Sequence, residues 1–268
     1  MDGGLGAISF GFNPLLVVAL GLLGLCIGSF LNVCIYRMPR GESISFPGSR
    51  CTSCGAAIHW YDNVPVVSYL VLGGKCRACK ASVSPRYVLV ELLTGVIFAA
   101  HGLAFDPGVL LGARLIFAAT LVALFFIDLE HQLLPDALTL PGIAIGILAS
   151  AFAAPGVASS LIGAALGAAI LLVIRWVWKR ATGVDGMGLG DVKMLAMIGA
   201  FLGWREVWLV LFVASLAGAI TGVSIAAAGR GSMKSKLPFG TFLAVAALFA
   251  SFWGDRLIAW YVGLITVQ

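Results

Sequence analysis

Charge is scarce in this chain. Only 11% of its 268 residues are Asp, Glu, Lys or Arg, against roughly a quarter in a soluble globule. So few charges cannot clothe a water-facing surface. Histidine is rare as well, with three in all, and there are twelve acidic residues. Several catalytic signatures are missing: there is no G-x-S-x-G elbow, no H-E-x-x-H and no glycine-rich loop ending in G-K-[S/T]. The usual sequence basis for a serine hydrolase, a zincin or a P-loop nucleotidase is therefore lacking. The seventeen Lys and Arg residues give a net charge of +5, yet they form no basic stripe interleaved with aromatics. Nucleic acid is not the expected partner.

What abounds is apolar. Hydrophobic residues make up 60% of the chain, and there are 34 glycines, which suits helices packing closely in lipid. The expected fold class is an all-α polytopic membrane protein whose partner is the lipid bilayer. Segments near the 17–25 residues of a crossing run at about 14–36, 88–105, 109–128, 138–154, 158–178, 192–203, 206–228 and 239–264. That is about eight transmembrane helices, the sixth short and the last interrupted by Gly254, Asp255 and Arg256. The first resembles a signal peptide only superficially, since Asp2 stands where a basic region belongs and the apolar run is too long. With eight alternating crossings, fourteen basic residues fall on one side: Arg37, Arg40, Arg50, Lys75, Arg77, Lys80, Arg86, Arg175, Lys179, Arg180, Lys193, Arg230, Lys234 and Lys236. Arg114, Arg205 and Arg256 fall on the other. The positive-inside rule makes the rich side cytoplasmic and predicts both termini outside.

Three units are expected: a first transmembrane helix over 1–36, a cytoplasmic loop domain over 37–87 and a transmembrane domain over 88–268. The loop contains Cys51-Thr52-Ser53-Cys54 and Cys76-Arg77-Ala78-Cys79. Two C-x-x-C pairs at this spacing match a tetrahedral zinc site with ligands Cys51, Cys54, Cys76 and Cys79. Four thiolates leave no open coordination position, so the zinc would be structural. A fifty-residue loop has little core of its own, and a metal would supply folding energy. Redox-active or incidental cysteines are the alternative, and a reducing cytoplasm disfavours disulfides. Cys26 and Cys34, within an apolar run, read as small packing residues.

Carboxylates at a membrane edge are costly and usually functional. Asp128 closes the third apolar segment, in Phe125-Phe126-Ile127-Asp128, and Leu134-Pro135-Asp136 follows it. Asp191 opens the sixth, in Gly188-Leu189-Gly190-Asp191-Val192-Lys193. Topology puts both at one depth on the cytoplasmic side. Two adjacent carboxyls share a proton, and such a pair can activate water against an amide and protonate the leaving amine. Asp191 also fits a helix cap, and Asp136 reads as turn chemistry. A transporter using the same aspartates as ion ligands remains open, although no inverted repeat is visible. The glycines at 188 and 190 suit close backbone approach.

These residues resemble the type IV prepilin peptidases, aspartic enzymes with a G-x-G-D motif. Residues 188–191 match that motif, and Asp128 with Leu134-Pro135-Asp136 matches the other. Gly28-Ser29-Phe30-Leu31-Asn32-Val33 with Arg37 and Pro39, the two C-x-x-C pairs, Ser84-Pro85-Arg86-Tyr87, Glu91, Thr94-Gly95 and Pro238-Phe239-Gly240 follow the family in order. The resemblance implies a bacterial inner-membrane enzyme that cleaves the leader of type IV prepilins and type II secretion pseudopilins at the cytoplasmic boundary. Asp128 and Asp191 would be the catalytic pair, Asp136 the rival for the first place, and Gly188, Gly190 and Lys193 supporting residues. Because the cysteine loop is present, it further implies the bifunctional members, which methylate the new N-terminus from S-adenosylmethionine. Asn32, Arg37 and Glu42 are donor-site candidates by position alone. Glu42, Asp62 and Glu130 are the acidic groups expected to meet a basic leader.

Overall fold

In the computed structural model the described residues are 13–228 and 238–266. Asp2, Arg230, Lys234 and Lys236, used above as topology signals, lie outside them. Nine α-helices run through the described chain: α1 (Pro14–Arg37), α2 (Val67–Val71), α3 (Arg86–Ala104), α4 (Val109–His131), α5 (Asp136–Ala149), α6 (Val157–Thr182), α7 (Leu189–Leu202), α8 (Trp204–Ala227) and α9 (Phe239–Thr266). Local chemistry explains their ends. Asn13 caps α1 through its side chain, accepting from the Leu16 N–H at 3.2 Å, and Pro14 occupies the first turn. Gly203 turns α7 into α8 at φ 100°, and a side chain there would strike Ser159 Oγ at 2.6 Å.

Six helices, α1, α3, α4, α6, α8 and α9, are long and apolar enough to cross a membrane. The expected crossings at 138–154 and 192–203 are instead the two 14-residue helices α5 and α7. At 1.5 Å per residue each is about 21 Å long, short of the roughly 30 Å hydrocarbon core. For α7 the shortness has a packing reason. α7 is enclosed: Val192 and every residue from Met194 to Leu202 are buried, against α5, α6 and α9. It is bounded by protein rather than lipid, and so need not match the bilayer.

Small residues set the closest approach. A Cβ at Gly199 would lie 2.1 Å from the Gly163 carbonyl oxygen, and one at Gly167 would lie 2.6 Å from that of Leu195. This antiparallel seam puts Asp191 level with Leu171 of α6. From there α6 runs eleven residues further, about 16 Å, to Thr182. That extension carries Arg175, Trp176, Trp178, Lys179 and Arg180, the residues of a membrane interface. Asp191 therefore starts α7 well below the basic end of the bundle.

Arg114 and Glu206, each near the start of an apolar segment, are 7% exposed. They face each other and Asp255 at the end opposite Asp191, with the Arg114 guanidinium 5.6 Å from the Phe105 ring centroid. The nearby opposite charges offset part of the cost of burying them.

Candidate active site and metal centre

Asp128 lies in the last two turns of α4 and is 5% exposed. The helix stops after His131 because Gln132 takes a left-handed conformation (φ 51°), its N–H donating to the Asp128 carbonyl at 2.9 Å. The chain then doubles back through Leu134 into α5. At the start of α9 the Thr241 backbone N–H donates to Asp128 Oδ2 at 2.8 Å, placing the carboxylate at a helix N-terminus. Gly240 makes this possible, since a Cβ there would stand 2.8 Å from the same oxygen.

Asp191 occupies the first turn of α7. The Gly188 backbone N–H is directed at its carboxylate, which also feels the charge of Asp128. Leu134 is the wall common to both motifs: a Cβ on Gly190 would meet Leu134 Cβ at 2.8 Å, and one on Gly240 would meet Leu134 Cδ1 at 3.0 Å. Asp128 and Asp191 thus share one site, built from α4, α7 and the start of α9.

Asp136 has a different neighbour. It is exposed at the start of α5, and Lys193 Nζ donates to both its carboxylate oxygens at 2.6 and 2.7 Å. Two residues along a helix turn about 200°, so Lys193 reaches α5 while Asp191 faces Asp128. Arg175 holds the turn before α7 by donating to the Met187 carbonyl at 2.8 Å and pairing with Asp185 at 3.1 Å.

The acids expected to meet a basic leader already have cationic partners. Glu42 pairs with Arg50 at 3.7 Å, Glu130 with Arg86, and Asp62 takes two bonds from Arg77 at 2.6 and 2.8 Å. The Arg77 guanidinium holds the Asp62 carboxyl below the usual carboxylate range.

The four loop cysteines converge, their sulfur atoms all within 4.8 Å of one another. Cys51 and Cys79 Sγ stand 3.9 Å apart, near the about 3.8 Å edge of a tetrahedron with about 2.3 Å zinc–sulfur bonds. Each pair sits in the same knuckle: Cys51 N–H donates to Ala56 O and Gly55 N–H to Cys51 O, as Cys76 N–H does to Ala81 O and Lys80 N–H to Cys76 O. Gly55 and Lys80 occupy equivalent left-handed positions at φ 75° and 60°. Backbone N–H groups of Cys54 and Ser53 hold the Cys51 thiol down to about 6. Cys79 accepts from the Ala81 N–H, yet Cys54 and the other thiols beside it push it up to about 11. Four sulfurs this close cannot all ionise without a cation among them, so the donor set fits a tetrahedral metal.

Two features escaped the sequence reading. Gly240 was visible only as part of a motif, with no sign that Thr241 would reach Asp128. Glu91, named in the sequence only by its place in the motif series, is 8% exposed and accepts from the Val66 N–H at 2.8 Å, a contact no motif announced.

The Bacterial Peptidase A24 N-terminal domain model matches residues 22–105, and that of the Type IV leader peptidase family matches 115–223. A prepilin leader peptidase/N-methyltransferase of Pseudomonas aeruginosa is 38% identical, covering 90% of this chain and 91% of that protein. Proteins of the same name from Dichelobacter nodosus and Myxococcus xanthus are 39% and 42% identical, covering 91% and 84% of this chain and 94% and 68% of theirs. No solved structure matches. With both models in order and such relatives along nearly its whole length, the chain belongs to the type IV leader peptidase family.

Proposed function

We propose that this chain is a bifunctional inner-membrane enzyme. It removes the leader from type IV prepilins and type II secretion pseudopilins, then methylates the exposed N-terminal amine. The observation that carries the peptidase reading is the shared site of Asp128 and Asp191, each carboxylate met by a backbone N–H. The two carboxyls hold one proton between them. The ionised member removes a proton from water as it attacks the scissile carbonyl. The protonated member gives its proton to the departing amide nitrogen. Backbone donors keep the pair oriented, and Leu134 sets the spacing of the segments around it. The basic end of α6, with Lys179 and Arg180 on the side where α7 begins, supports a cytoplasmic site. Asp136, engaged by Lys193, serves to join α5 to α7.

In the second reaction S-adenosylmethionine would supply the methyl group, and the new N-terminal amine of the cleaved pilin would receive it. Cys51, Cys54, Cys76 and Cys79 hold a structural zinc that folds the loop beside α1.

The test is cleavage of a leader-bearing prepilin by membranes containing Asp128→Asn, Asp136→Asn or Asp191→Asn. The first and third should lose about 1,000-fold or more. The second should stay within about tenfold, as expected for an exposed ion pair. Cleavage surviving in both Asp128→Asn and Asp191→Asn overturns the dyad.

A further inference from the structure

The sequence motifs around residues 28–37 and at Glu91 take no part in the aspartate pair. They gather instead beside a cavity of about 330 Å³, within the roughly 300–1,000 Å³ of small-molecule sites. One wall is α1, with Ser29, Phe30 and Arg37; the other is the cysteine-bearing loop, with Pro47, Asn63 and Pro65. All of it lies inside the N-terminal family match at 22–105, whereas Asp128 and Asp191 lie inside the match at 115–223.

Buried charges shape this cavity. Arg37, 6% exposed, donates to the Ser43 and Gly48 carbonyls at 2.9 and 3.0 Å. Glu91, with Ser29 beside it, fixes the Val66 N–H. Val66 sits at φ 62°, ψ −50°, with the Val67 N–H donating to the Pro65 carbonyl at 2.6 Å. A β-branched residue rarely adopts so tight a turn, and such strain gathers at ligand clamps. Two charges at the ends of membrane helices, each costly to bury, thus hold the loop wall in place against α1.

We propose that this cavity binds the methyl donor, S-adenosylmethionine; the assignment rests on the methyltransferase reading above. The lining offers partners for the donor's carboxylate, nucleobase and ribose. Two of the five N–H groups of Arg37 serve the loop carbonyls, which leaves donors for a carboxylate. Phe30, Pro47 and Pro65 offer flat apolar surface to a nucleobase. Ser29 and Asn63 offer hydrogen bonds to ribose hydroxyls. Of the three positions singled out from sequence, only Arg37 lines the cavity. Asn32 instead donates to the Tyr87 carbonyl at 2.9 Å, and Glu42 pairs with Arg50.

The experiment uses the full-length, metal-loaded protein in lipid nanodiscs. Tritiated S-adenosylmethionine is measured by equilibrium dialysis, then cross-linked by ultraviolet light and mapped to peptides. The wild type and Asp191→Asn should bind alike, with label in residues 26–49 or 63–65. Gly48→Trp adds bulk at the cavity wall, where a Cβ meets nothing within 4 Å; it should weaken binding at least about tenfold. Arg37→Met should do the same. Label mapping elsewhere, or both variants binding as tightly as wild type, overturns the site. If a variant loses its metal, the wild-type label position decides alone. A wild type that methylates cleaved pilin but is labelled elsewhere keeps the activity and loses only the site. A wild type that neither binds donor nor methylates loses both.

Discussion

Gly188 and Gly190, two residues apart, do unequal work. A Cβ on Gly188 would meet Asp191 Oδ2 at 3.6 Å, an ordinary contact, whereas one on Gly190 would drive into Leu134 at 2.8 Å. Gly188→Ala should therefore keep prepilin cleavage within about threefold, while Gly190→Ala should cost on the order of 100-fold, because sub-ångström misplacement of reacting groups is that damaging. Gly240→Ala, which collides with Asp128 itself, should match the second. Initial rates of leader removal, normalised to inserted protein, check all three. A pair sharing one proton also requires a bell-shaped pH–rate profile. Substituting either aspartate should remove the bell along with the activity; a flat wild-type profile would contradict a shared proton. At this scale the sequence was informative where chemistry is encoded in residue type, as for Asp128, Asp191 and the four cysteines. It was silent on Thr241, whose contribution is a backbone N–H that any residue could supply; between Asp128 and Asp136 it named the first and kept the second as a rival.

Among the helices, α7 is the one that apolar runs describe least well. Its composition reads as a short crossing, but its length is set by the neighbours that enclose it, and a window of hydropathy contains no neighbours. The same blindness applies to Arg114 and Glu206, charges whose burial shows only when α4, α8 and α9 are assembled around them. The long helices were legible because lipid-facing length is itself a property of sequence. The glycine seam between α6 and α7 gives this level its prediction. Gly199→Ala or Gly163→Ala places a methyl group within 2.1 or 2.4 Å of the opposing carbonyl oxygen. Each should destabilise the protein by about 1–3 kcal/mol, read as a lower unfolding temperature in detergent. Gly112→Ala, where a Cβ meets nothing within 4 Å, should leave that temperature unchanged.

At the scale of the whole molecule, two bodies of different physics are joined through α1 and α3. The helical bundle is held by apolar packing and small-residue contact. The loop between these two helices has short helical turns and two knuckles, whose four cysteines could hold a metal ion. Stripping the metal with a chelator should open the loop while sparing the bundle. Limited trypsin digestion should then cut at Arg50, Lys75, Arg77 or Lys80 before any site in the helices. One equivalent of added zinc should restore resistance, and Cys76→Ser should behave as the stripped protein does. If the metal-free protein resists trypsin as well as the loaded one, the metal has no structural role.

The bond from Thr241 to Asp128 also has a consequence in time. Asp128 and Asp191 leave the ribosome with α4 and α7, but the backbone donor that steadies the first comes from α9, the last helix described. A chain still being made therefore carries both aspartates without a finished site. If the pair acts as proposed, the order of synthesis would itself keep a newborn hydrolase idle until α9 has docked, with no need of a removable inhibitor.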